Sequence, residues 1–198
     1  YPPFLGAAMR FVLSTLLLVS AALGGCKIDA VEPIVPLASA QADPALYGVW
    51  RHREGDETTY VHIGPAIALG GPKEGQPMRI VIVDHKLAGG TVEDYTVYGA
   101  RVGSHRYLSV AQEEQGKREG YLFVRYRVDG GTVRFASVDG KALADAIRAG
   151  RIQGTVRGEG LDTDATITAD PQAIAAFLAA SGDALFNRPV TLRRVAAR

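Results

Sequence analysis

Gly120-Tyr121-Leu122-Phe123-Val124-Arg125-Tyr126-Arg127-Val128-Asp129-Gly130-Gly131-Thr132-Val133-Arg134-Phe135-Ala136-Ser137-Val138 is the stretch that decides the fold. Two runs rich in aromatic and β-branched residues flank Asp129-Gly130-Gly131, and aspartate and glycine tolerate the positive φ that tight hairpin turns require. The stretch therefore reads as an antiparallel hairpin. On its first strand Tyr121, Phe123 and Arg125 alternate with Leu122, Val124 and Tyr126, so both faces carry aromatic or aliphatic surface. Such a strand belongs to a closed barrel or to a sheet covered on one side by helices.

The same texture extends outward. Strands are expected at Gly48 to Arg53, Thr58 to Pro65, Met78 to Lys86, Val92 to Val102, His105 to Gln112, Arg151 to Arg157, Asp164 to Thr168 and Pro189 to Val195. A two-residue turn at Gly55-Asp56 would set His52 opposite Thr59, on the face of Val61 and Ile63, and send His62 to the other side. Two short amphipathic helices interrupt the strands. One runs from about Gly140 to Ala149 behind an Asp139 N-cap, with Leu143, Ala146 and Ile147 on one face and Gly150 as its stop. The other opens at Asp170-Pro171, carries Ile174, Phe177 and Leu178 on one stripe, and ends at Ser181-Gly182. The expected class is mainly β with two short helices (α+β), an antiparallel meander sheet forming a closed or partly closed barrel, with the helices as lids or plugs.

Before the strands the chain reads differently. From Met9 there is one positive charge at Arg10, an apolar run from Phe11 to Ala22, and then Leu23-Gly24-Gly25-Cys26. This is the order of an export signal: charged start, short apolar centre, small-residue cleavage site. The apolar run falls short of the roughly 20 residues of a membrane span. Residues 1–25 are thus expected to be a signal peptide, with 1–8 an over-extended start. Leu23-Gly24-Gly25-Cys26 resembles the bacterial lipobox, in which the cysteine is acylated and becomes the new N-terminus. Cys26 is the only cysteine in the sequence, so no intramolecular disulfide accounts for it. The resemblance implies a lipoprotein of the cell envelope whose membrane partner is reached through an N-terminal lipid. Lys27 stands where aspartate would favour inner-membrane retention, which points to the periplasmic face of the outer membrane. Residues 26–45, with Pro33, Pro36 and Pro44 and no sustained period, read as a flexible tether holding the domain tens of ångströms from the bilayer. Residues 46–198 read as one β-rich domain, long enough for a single core.

The sequence carries a net charge of +1. Arg10 is the only charged residue of the leader, so the remainder is close to neutral, which argues against a nucleic-acid partner.

Gly48-Val49-Trp50 resembles the opening strand of lipocalins, in which the tryptophan plugs one end of an antiparallel barrel and a late arginine packs over the indole. The resemblance implies that role for Arg193 or Arg194. Trp50, Tyr60, Tyr95, Tyr121, Phe123 and Arg193 are the candidate ligand-binding residues. No catalytic residue is assigned. His52, His62, His85 and His105 fall on separate strands, none in a spacing that presents two imidazoles to one metal, and no cofactor is implied. Arg125, Arg127 and Arg134 form either a cross-strand basic stripe for an anionic ligand or the ordinary charged face of a hairpin. Gln112 to Glu119 reads as a solvated hairpin loop, and Gly64 to Pro77 as a long loop that rims a site or merely connects strands. The glycines near Gly158 lead to a strand, unlike a phosphate loop.

The functional expectation is a membrane-tethered binding or scaffold module for a small apolar ligand or an envelope protein. The alternatives are an envelope hydrolase in which Asp84, His85 or Ser109 converge only in space, and an inhibitor of an envelope enzyme acting through Gly64 to Pro77. The domain is also similar to strand-rich, helix-interrupted domains of bacterial envelope proteins, a likeness that implies no activity.

Overall fold

Thr132 faces Asp129 across the Gly130-Gly131 turn, and its Oγ1 donates to the Asp129 carbonyl at 2.9 Å. The hairpin that opens the sequence argument is thus strands β7 (Lys117–Asp129) and β8 (Thr132–Ser137) of a computed structural model that describes residues 28–66, 75–85, 90–158 and 163–196. Residues 1–25, expected to be a signal peptide, Cys26, most of the Gly64 to Pro77 loop and part of the glycine-rich stretch after Gly158 lie outside the described residues.

Strands β2 (Gly48–Glu54), β3 (Glu57–Pro65), β4 (Met78–His85), β5 (Thr91–Val102), β6 (His105–Glu114), β7 and β8 follow one another, each antiparallel to the last. Strand β11 (Val190–Arg194) pairs with β8 and with β2, closing an eight-stranded antiparallel barrel. This is the architecture the lipocalin resemblance implied. The Gly55-Asp56 turn sets His52 against Thr59, with Val61 and Ile63 buried and His62 exposed.

Strand alternation makes two cores. Inward residues Trp50, Val61, Ile63, Met78, Ile80, Val97, Leu108, Val124, Val133, Phe135 and Leu192 fill the barrel. Outward residues Tyr98, Tyr107, Ala111, Tyr121, Phe123, Ala136 and Val138 lie under a second layer. That layer comes from the long excursion between β8 and β11: helix α1 (Gly140–Arg148), strands β9 (Gly154–Arg157) and β10 (Asp164–Ile167), and helix α2 (Pro171–Ala180). Asp139 and Asp170 cap the helices, accepting from Ala142 N and Ala173 N at 2.8 Å each. Leu143 and Ala146, and Ile174, Phe177 and Leu178, are buried against the sheet. The helices cover the barrel's outer wall rather than plugging its ends, because the strands beneath them are apolar on both faces. Both readings of the Tyr121 to Tyr126 alternation hold at once.

The segment expected to be a tether is part of this fold. Strand β1 (Ile28–Ala30) pairs parallel with β10 and antiparallel with β7 through Ala30 and Tyr121, carrying β10 and β9 onto the edge of β7. Ile34 is fully buried and its N–H donates to Ser109 Oγ at 3.1 Å. Burying such a side chain contributes about 1.5–3 kcal/mol, which stabilises a stretch that has no periodicity of its own. Gln41 N then donates to the Gly99 carbonyl at 3.0 Å. A Cβ at Gly99 would meet Gln41 O at 2.2 Å, so that position on β5 must stay bare for the backbone to cross it. The folded body therefore already includes Ile28 and the segment after it, well before residue 46.

Candidate functional site

Residues 35–43 run across the barrel end at which β5 turns into β6, and a half-open cleft of about 250 Å³ lies between them and the strands. Its geometry starts with Asp43. This residue caps the short 3-10 turn Pro44–Leu46, its carboxylate accepting from Ala45 N at 3.1 Å. The other carboxylate oxygen receives Arg106 Nη1 at 2.9 Å and the Tyr126 hydroxyl at 2.7 Å. Its backbone N–H meets Met78 Sδ at 3.3 Å. Arg106 and Tyr126 face each other on β6 and β7, so the barrel register delivers both donors to one acceptor.

Arg101 is the direct cross-strand neighbour of Arg106 and also lines the cleft. Like charges placed opposite one another repel, and Asp43 offsets only one of them. Burial, reinforced by the hydrogen bond to Asp43, pushes the Tyr126 phenol far above its ordinary range, so it remains a neutral donor. The cleft thus presents a fixed carboxylate, a neutral hydroxyl donor and two guanidiniums, with Ser39 and Gln41 on its rim. It suits a small polar or anionic group better than an apolar one.

Trp50 seals the same end of the barrel. It is fully buried, its Nε1 donates to Leu46 O at 2.7 Å, and the Arg194 guanidinium stands over its ring. Leu192 points inward and Arg193 therefore points out, paired with Arg51, so Arg194 and not Arg193 covers the indole. The glycine of Gly48-Val49-Trp50 has a local cause. Its φ is +130°, and a Cβ there would meet Arg194 Nη1 at 2.8 Å.

The six residues expected to line a ligand site are not brought together. Trp50 and Tyr95 point inward, whereas Tyr121 and Phe123 point outward beneath the helical layer and Arg193 lies exposed. Tyr60 is half-buried on β3, opposite Arg51. Tyr95 donates to Glu93 at 3.0 Å, and burial holds its phenol above the ordinary range. Tyr121 and Tyr98 instead flank Arg118, which donates to both hydroxyls at 3.1 and 3.3 Å. Alternation along each strand and closure of the barrel separate side chains that look alike in sequence.

The polar residues of the hydrolase alternative separate in the same way. Ser109 is buried on the outward face and holds Ile34, while Asp84 lies on the inward-facing side of β4 and accepts from Thr59 Oγ1 at 3.1 Å. The His85 side chain lies outside the described residues. Among the described residues no three His, Cys, Asp or Glu side chains are grouped as metal ligands. No protein-family model, curated protein or solved structure matches the chain.

Sequence reasoning missed Asp43, Arg101, Arg106 and Tyr126. The available signals were the Asp43-Pro44 helix-start pattern and the two arginines flanking the Gly103 turn, neither of which names its distant partner.

Proposed function

We propose that the chain is an acylated protein of a bacterial cell envelope, anchored through Cys26, whose body works as a binding or scaffold module directly on the bilayer surface. The observation that supports this most is how close to Cys26 the chain is already part of the fold. The lipobox pattern puts the lipid on residue 26, and Ile28 already lies in β1. Two residues span at most about 7 Å, so the anchor has no slack with which to hold the body away from the membrane. Lys27 favours the periplasmic face of the outer membrane.

Of the two partner classes, the small apolar ligand loses ground because the described barrel interior is occupied by its own side chains. The polar cleft at Asp43 and the outer surface are the places for a partner. Fractionation tests the reading. In a bacterium able to acylate lipobox precursors, the wild-type chain is expected in the membrane fraction after washing with high salt and alkaline carbonate, and Cys26→Ser in the wash. A wild-type chain released by those washes contradicts it.

A further inference from the structure

Five arginines stand outward on four neighbouring strands of the barrel: Arg127 on β7, Arg134 on β8, Arg193 on β11, and Arg51 and Arg53 on β2. All five are exposed, on a part of the wall that the helical layer leaves bare. Arg127 is directly opposite Arg134, and Arg51 directly opposite Arg193. Like charges in directly opposed cross-strand positions destabilise a sheet. No carboxylate of the described residues pairs with any of the five. Arg125, beside them on β7, is satisfied by Asp183 at 2.8 Å; Glu54, next to Arg53, alternates to the other side of β2 with His52, 4.0 Å away, and Asp56 and Asp129 sit at hairpin tips.

The fold therefore concentrates uncompensated guanidiniums on one face of a chain that carries a net charge of only +1. Guanidinium forks match phosphate oxygens, and spaced cations on a curved wall suit many shallow anionic groups better than one deep site. The antiparallel pairing of Ala30 with Tyr121 also aims the N-terminal end of β1 toward the end of β7 that carries Arg127.

We propose that this arginine face binds the phosphate headgroups of an anionic phospholipid bilayer. With the Proposed function above, on which its cellular setting rests, the face becomes a second membrane contact that orients the anchored body. Attraction to an anionic membrane amounts to about fivefold in partitioning for each basic residue near the surface, and it decays within a Debye length.

The test uses residues 27–198 with no lipid, which keep β1 and every residue of the two described cores. Co-sedimentation is measured with vesicles of phosphatidylethanolamine containing roughly 30 mol % phosphatidylglycerol and with vesicles lacking it. Binding is expected only to the former, and is expected to fall as NaCl rises from about 0.05 to about 0.5 M. The double variant Arg127→Ser/Arg134→Ser should lose about 30-fold, and Arg51→Ser/Arg193→Ser the same. The salt series on the unaltered chain decides the matter even if a variant misfolds. No binding to anionic vesicles at low salt, equal binding to neutral vesicles, or abolition by millimolar inorganic phosphate at constant ionic strength would overturn the proposal. Because the chain tested carries no acyl group, these outcomes are independent of whether Cys26 is acylated.

Discussion

The Arg194 guanidinium carbon lies 4.1 Å from the centre of the Trp50 ring, and its Nη2 donates to the Ala45 carbonyl at 2.7 Å while Nη1 donates to Tyr47 O. One side chain from the last strand thus ties the indole, the 3-10 turn and the start of β2 together. Arg194→Ala is expected to cost about 2–3 kcal/mol, through the lost cation–π contact and two hydrogen bonds to backbone. Arg194→Lys should recover only part, since an ammonium cannot span both carbonyls and the ring. Arg193→Ala should stay within about 0.5 kcal/mol. Trp50 is the only tryptophan, so its fluorescence in a urea titration reports all three.

Gly99 supplies a second test of how the N-terminal segment is held. Gly99→Ala pushes a methyl into Gln41 O and should destabilise by about 1–3 kcal/mol. Gly64→Ala, where no atom lies within 4 Å of the added methyl, should not show a clash of this kind. Equal effects in thermal melts of the two variants would count against the observed crossing.

Ser109→Ala removes the acceptor of the buried Ile34 N–H and should cost about 1–3 kcal/mol. A packed segment also resists cleavage. Limited proteolysis of the wild-type chain is expected to spare residues 29–46, and Ser109→Ala to increase cutting there. Rapid cleavage within 29–46 of the wild type would restore the tether reading.

Alkaline pH should weaken the fold through Tyr126. An unfolded tyrosine ionises near pH 10, whereas Tyr126 in the fold keeps its proton above that value because it is buried and bonded to Asp43. From about pH 10 upward the folded chain therefore holds more protons than the unfolded one, and stability falls as pH rises. The contribution is fully present below that pH. Urea midpoints between about pH 9 and 11.5 should decline less steeply in Tyr126→Phe than in the wild type.

Much of the barrel was legible because its signals are local. Asp129-Gly130-Gly131, the Gly55-Asp56 turn and the caps Asp139 and Asp170 each act within a few residues, and each gives the expected element. The N-terminal segment was not legible, because it has no strand-like alternation and its contacts are distant. Ile34 reaches Ser109 across 75 positions. The cleft failed for the same reason: Asp43 meets Arg106 and Tyr126 across 63 and 83 positions. Prolines 33, 36 and 44 suggest extended backbone but do not say what it packs on. Which of Arg193 and Arg194 covers the indole turned on one residue of strand phase, and pairing register settles that phase.

Acylation of Cys26 is the claim on which the proposed setting depends, and the mass of the mature N-terminus tests it most directly. In protein purified from the membranes of an acylating bacterium, the N-terminal peptide is expected to begin at Cys26 and to carry a diacylglyceryl group on Sγ. An N-terminal peptide with an unmodified Cys26 that still reacts with a thiol alkylating reagent would contradict the account.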